Sequence, residues 1–185
     1  MILVYGGSFN PPTVAHQEII KKLCETYQPK NIIVVPVGDD YNKPQLAPFY
    51  HRVAMLKLIM EPLPCQVEIL TREGEAPFDG TYNTLKYVSS LYPNEDIHFV
   101  LGTDHLASIE SWIEADKLLK EYAFIVVRRK NYTPNYSLLK KHDTVYEVFD
   151  YDNDVAATKF RMNQEKYQDI VTDQVLAYIK VHHLY

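Results

Sequence analysis

The chain has 185 residues, 46% hydrophobic and 23% charged, and 24 acidic against 19 basic side chains leave a net charge of -5. That length suits a single domain, residues 1–185, burying about 70% of its unfolded surface, and the composition is too apolar for disorder. Nothing repeats at a fixed period, which excludes solenoids, and the acidic balance excludes general polyanion binding, which needs a net basic face to displace counterions.

Met1-Ile2-Leu3-Val4-Tyr5 lacks the basic start and long apolar core of a secretory signal, so Ile2–Tyr5 reads as a first strand. Similar β-branched runs follow at Asn31–Val37, Gln66–Leu70, Ile97–Leu101, Ala123–Val127 and Thr144–Phe149. Between them, helical spacing marks Ile19, Ile20 and Leu23, then Phe49, Val53, Leu56 and Met60, then Leu85, Val88 and Tyr92. These stripes predict helix faces packed on a sheet. Polar stretches near residues 38–48, 72–80 and 130–137 read as loops. Strands alternating with helices predict a doubly wound, parallel α/β sheet, because parallel strands need a crossover and a helix is the usual one. No run approaches the ~20 apolar residues of a membrane span. Cys24 and Cys65 lie far apart without Cys-x-x-Cys spacing, which fits two separate thiols in a reducing cytosol better than a disulfide. A cytoplasmic protein with no membrane or nucleic-acid partner is expected.

Ligands of such sheets bind at the carboxyl ends of the strands, so the loop after the first strand is the place to look. It reads Gly6-Gly7-Ser8-Phe9-Asn10-Pro11-Pro12-Thr13-Val14-Ala15-His16. Glycines let backbone N–H groups approach an anion, and a helix N-terminus adds about half a positive charge at the same spot. The spacing is neither Gly-x-Gly-x-x-Gly nor a Walker A. A bare Gly-Gly would fit a tight turn with no ligand, but His16 adds a hydrogen-bond donor in the first helical turn.

This stretch resembles the nucleotidyltransferase signature Gly-x-Phe-x-Pro-x-His/Thr-x-x-His, and in particular the nicotinamide/nicotinate mononucleotide adenylyltransferases, closest to their eukaryotic-type branch. Further motifs follow in order: Val37 to Lys43 with Tyr50-His51-Arg52-Val53, then Gly80-Thr81-Tyr82-Asn83-Thr84-Leu85, then Leu101-Gly102-Thr103-Asp104 ahead of Trp112, then Asn153 to Arg161, and the tail Val175–Tyr185. Two positions depart from the family. Ala15 stands where most bacterial members carry glycine, and Ala156-Ala157 replaces a serine pair that caps a helix. Asp154, just upstream, is a candidate replacement cap.

The resemblance implies a Rossmann-like nucleotidyltransferase fold and transfer of AMP from ATP to a pyridine mononucleotide, with Mg²⁺ arriving on ATP and no protein metal site. It makes His16, Lys43 and Arg161 the catalytic residues. ATP would be held by Gly6, Gly7, Ser8, Phe9, Thr13, His16, Gly102, Asp104, Asn153, Thr158 and Arg161, with Lys159 a weaker candidate. The mononucleotide would meet Ser8, Lys43, Thr84 and Trp112. Asp104 is as well read as a helix cap, Trp112 as a packing residue and Thr84 as a helix start. The sequence leaves a homo-oligomer open. Two other functions remain: an adenylyl- or cytidylyltransferase for another phosphorylated acceptor, and a nucleotide-binding regulator without turnover. Arg128-Arg129-Lys130 is a basic run at a strand end, Asp39-Asp40 reads as a turn, and the other histidines show no metal spacing beyond the surface pair His182-His183.

Overall fold

The computed structural model describes residues 1–41, 45–60, 63–75, 77–128, 135–151 and 155–185. The chain divides into two compact units, one of Met1–Gly6 with Asp79–Asp154 and the other of Gly7–Phe78 with Val155–Tyr185. All six runs expected to be strands are strands.

In the first unit, β1 (Ile2–Gly7) pairs with β4 (Ile97–Gly102), β4 with β5 (Ala123–Arg128), and β5 with β6 (Tyr146–Asp150), all parallel. Tyr5 lies opposite Val100, Leu101 opposite Val126, and Val127 opposite Phe149. Ile2, Leu3, Val100, Phe124, Ile125 and Val126 are fully buried, the near-continuous apolar pattern of parallel strands covered on both faces. β6 is different: Glu147 and Val148 are exposed, as suits an outer strand. The helices of this unit are α4 (Thr81–Leu91), α5 (Ala115–Glu121) and α6 (Ser137–Lys141). α4 starts after Gly80, which has φ +101° and would place a Cβ 2.8 Å from that of Ile113, so this position takes glycine.

In the second unit, β2 (Asn31–Pro36) and β3 (Val67–Ile69) are parallel, with Ile32 opposite Val67. α1 (Val14–Tyr27) buries Ala15, Ile19, Ile20, Leu23 and Cys24, which contains the expected stripe. Ala15 is thus a core residue here. α2 (Phe49–Met60) departs from expectation: its buried face is His51, Arg52, Met55, Leu56 and Ile59, and only Leu56 belongs to the predicted stripe. α3 (Arg72–Glu75) occupies part of a segment expected to be loop, and Ser137 opens α6 where loop was also expected. The remaining helices are α7 (Ala157–Met162) and α8 (Asp173–Val181), the latter packed on α2.

Cys24 and Cys65 form a disulfide, correcting the expectation of separate thiols. Cys24 lies in the last turn of α1 and Cys65 just ahead of β3, and the fold brings their Cα atoms to 5.7 Å. Among the described residues, no helix is long and apolar enough to cross a membrane.

Candidate active site

The loop after β1 belongs to the second unit from Gly7 onward. The Gly7 carbonyl accepts the Val37 N–H at 3.0 Å, tying the strand end to the residue after β2. Phe9 then takes φ +45°, a left-handed conformation rare for a bulky side chain, and the Asn10–Pro11 bond is cis. The Phe9 ring is 1% exposed and meets the edge of His16 with centroids 5.0 Å apart. Asn10 is buried and holds the other side of the turn: its Nδ2 donates to the Gln45 carbonyl at 2.8 Å and its Oδ1 accepts the Ala47 N–H at 2.9 Å.

Thr13 is the extended residue that opens α1, and His16 is the third residue of the helix. The backbone N–H of Thr13 donates to His16 Nδ1 at 2.9 Å, with the Thr13 hydroxyl 2.8 Å from the same nitrogen. An Nδ1 that accepts an N–H carries no proton, so the neutral ring holds its proton on Nε2 and presents it as a donor. Histidine here does what glutamate does in a capping box, reaching back to the N-cap backbone. Thr13, also expected at the ATP phosphates, orients His16. The first turn of α1 has no acidic residue to offset its positive end.

Arg161 reaches this loop from α7: Nη1 donates to the Asn10 carbonyl, and Nη2 to the Thr158 hydroxyl at 3.3 Å. Its Nε is buried and has no hydrogen-bond partner among the described residues. α7 begins at Ala156 without a side-chain cap, as two alanines dictate. Tyr185 packs near Phe160, and burial raises its phenol pKa above the usual value while Arg52 and Arg161 pull it down. Gly7, Ser8, Phe9, Thr13, His16, Thr158 and Arg161 thus lie in one unit, with His16 and Arg161 linked through the same loop. Lys43, Asn153 and the proposed cap Asp154 lie outside the described residues, as do Arg129 and Lys130.

The first unit holds the other expected residues. Gly6 is the penultimate residue of β1 and Gly102 the last of β4, and Phe99 lies 3.2 Å from where a Cβ on Gly6 would stand. Asp104 is inside the 3₁₀ turn Thr103–His105, not ahead of a helix, and is 4.0 Å from His105 Nε2, which corrects the capping alternative. Trp112 is half-buried, edge-on to His105 at 5.8 Å and to Phe99 at 6.3 Å. Thr84 is 2% exposed on α4. Arg128 pairs with Asp150 at 2.7 Å. Asp39 and Asp40 do more than turn the chain: Asp39 accepts from Phe49 N–H and Arg52, and Asp40 from Phe78 N–H.

Asn10, Arg52 and Tyr185 stand in the quoted motifs without an assigned role, because the burial of such polar groups is decided by tertiary contacts. The converging groups around Thr13 and Arg161 are cations and hydrogen-bond donors, a set suited to holding anionic oxygens and not to binding a metal ion directly.

The parallel α/β fold, with this loop at the end of its first strand, is that of a nucleotidyltransferase, and comparison with known proteins agrees. The cytidylyltransferase-like family model matches residues 4–177. A protein of Acholeplasma laidlawii, named probable nicotinate-nucleotide adenylyltransferase, is 40% identical over 186 residues, covering 100% of this chain and 97% of its own. One of the same name from Aliarcobacter butzleri is 30% identical over 86% of this chain and 85% of its own. Among solved structures, Plasmodium falciparum nicotinic acid mononucleotide adenylyltransferase complexed with NaAD matches with a TM-score of 0.85 and 26% identity, over 100% of this chain and 96% of that one. The chain belongs to the cytidylyltransferase-like family and, within it, to the nicotinate-nucleotide adenylyltransferases, with their doubly wound, Rossmann-like α/β fold.

Proposed function

We propose that the chain transfers the adenylyl group of ATP, taken as its Mg²⁺ complex, to nicotinate mononucleotide, giving NaAD and pyrophosphate. The observation that carries this reading is the His16 ring at the positive end of α1, whose Nδ1 accepts the Thr13 N–H, which makes Nε2 the nitrogen that donates. A phosphate oxygen of the mononucleotide attacks the α-phosphorus of ATP. A new P–O bond forms as the bond to the bridging oxygen breaks, and pyrophosphate leaves with that electron pair. Such a transfer rests on positioning and on donors aimed at oxygens that gain charge.

His16 Nε2–H donates to an α-phosphate oxygen, with the N–H groups of the Gly7–Phe9 loop beside it. Arg161 exchanges its bond to the Asn10 carbonyl for the leaving phosphates, aided by Thr158. Lys43 and Asn153 act on the same triphosphate by family likeness. In the first unit, Gly6, Gly102 and Asp104 serve the nucleotide, while Trp112 and Thr84 serve the pyridine mononucleotide, with the half-buried Trp112 ring offering a stacking face. The family match from residue 4 to 177 supports residues 1–185 as a single nucleotidyltransferase domain. Its need for ATP supports a cytoplasmic location.

The test is to incubate purified protein with ATP and Mg²⁺ and, separately, nicotinate mononucleotide, nicotinamide mononucleotide and phosphopantetheine. Pyrophosphate release is expected with the nicotinate form at the highest kcat/KM. Release with neither pyridine nucleotide would overturn the reading.

A further inference from the structure

Arg52 is fully buried, and among the described residues its guanidinium makes four hydrogen bonds. Nε donates to the Ala47 carbonyl at 2.7 Å, Nη1 to the carbonyls of Val37 at 2.7 Å and Ser8 at 3.1 Å, and Nη2 to Asp39 Oδ1 at 3.0 Å. Asp39 is itself fixed by accepting the Phe49 N–H at 3.0 Å. A buried cation is costly unless its protons find partners. Here those partners come from the glycine loop, the residue after β2 and both sides of the segment that includes Lys43.

We propose that Arg52 is a positioning residue for the adenylyl transfer, one that sets the Ser8–Phe9 peptide and through it the donors beside His16. A peptide is planar and trans, so a Ser8 carbonyl held by Arg52 turns the Phe9 N–H to the opposite side. Phe9 has φ +45°, a conformation unfavourable for a bulky residue that persists only where neighbours over-determine it. Arg52 holds the peptide before Phe9, and the buried Asn10 side chain holds the residue after it. Released on one side, Phe9 relaxes to negative φ, its N–H turns, and its ring leaves the edge of His16. Lysine cannot replace this fork, because its three donors radiate from one point and cannot serve four acceptors.

The inference rests on the proposed reaction, and its test separates the two. Wild type, Arg52→Lys and the uncharged Arg52→Met are compared for kcat, KM and residue-resolved amide exchange. Expected for Arg52→Lys is a loss of about tenfold or more in kcat with KM for the mononucleotide within about threefold, the pattern of lost transition-state geometry. Exchange at Phe9 and Asn10 should rise about tenfold while α8 and β5 stay protected; Arg52→Met should show the same pattern. Unchanged kcat in an active enzyme overturns the proposal, as does faster exchange spread evenly through the chain. Should wild type release no pyrophosphate, the adenylyl-transfer reading fails and this proposal with it, while exchange still reports whether Arg52 holds the loop.

Discussion

The Thr13 backbone N–H and hydroxyl both lie against Nδ1 of His16, at 2.9 and 2.8 Å, so one residue decides which ring nitrogen carries the proton. His16→Ala is expected to lower kcat about 100-fold or more, the 2.7–4 kcal/mol range for loss of one transition-state donor, with little change in melting temperature. Thr13→Val keeps the side-chain shape and the backbone N–H but loses the hydroxyl. It should cost about 1 kcal/mol of stability and a smaller share of kcat than His16→Ala. Pyrophosphate release and thermal melts of both variants check this; near-wild-type turnover in His16→Ala would remove it from the catalytic role.

Trp112 is the only tryptophan in the chain and is half-buried beside His105 and Phe99. A pyridinium ring stacking on it should quench its fluorescence, and such an interaction is worth about 1–2 kcal/mol. Nicotinate mononucleotide is therefore expected to quench the emission in a saturable way. Trp112→Ala should raise KM for the mononucleotide about tenfold while leaving KM for ATP nearly unchanged. Equal effects on both substrates would return Trp112 to a packing role.

The six strands are legible because β-branched runs are bounded by polar segments; the Thr13–His16 contact is not, because a histidine in place of the glutamate of a capping box carries no composition signal. α2 was not legible. It is apolar on most sides, so Phe49, Val53, Leu56 and Met60 form one acceptable face among several, and the fold buries His51, Arg52, Met55, Leu56 and Ile59 instead. A charged residue is placed outside by any composition rule, and only the convergence of the Ser8, Val37 and Ala47 carbonyls makes a buried Arg52 stable. The Cys24–Cys65 contact was hidden for a related reason, since it is made by chain packing across 41 residues.

That disulfide has a measurable consequence. Closing a loop of 41 residues restricts the unfolded chain by roughly 4 kcal/mol in the loop-entropy estimate. The Cys24→Ser/Cys65→Ser variant should melt roughly 10 °C lower, and reductant should bring wild type to the same value. The denatured, unreduced protein should titrate no free thiol. A melting temperature indifferent to reductant would show that the bond adds nothing in solution.

His51 on α2 is 8% exposed, with Nδ1 2.9 Å from the Tyr178 hydroxyl on α8 and its ring 5.0 Å from that of His182. Burial, and secondarily the His182 charge, lower its pKa below 6.5. Above pH 6.5 the ring is neutral in both folded and unfolded chains and pH has no leverage through it. Below that value the unfolded chain takes up the proton first, so stability is lost as pH falls toward and through the folded pKa. Melting temperatures measured from pH 7.5 to 5 should fall further for wild type than for His51→Gln. Parallel curves would assign the acid sensitivity to other groups.

Ala156 opens α7 in an extended conformation, φ −134° and ψ 130°, with no side-chain cap. This backbone is already that of an N-cap, so a serine there needs no rearrangement to accept an N–H from the first turn. Ala156→Ser is therefore expected to stabilise the protein by about 1 kcal/mol, or about 2–4 °C in melting temperature. Because Arg161 lies on the same short helix, firmer anchoring of α7 should also raise kcat modestly without changing KM for the mononucleotide. A serine variant that melts no higher than wild type would show that the start of α7 is already satisfied by another group.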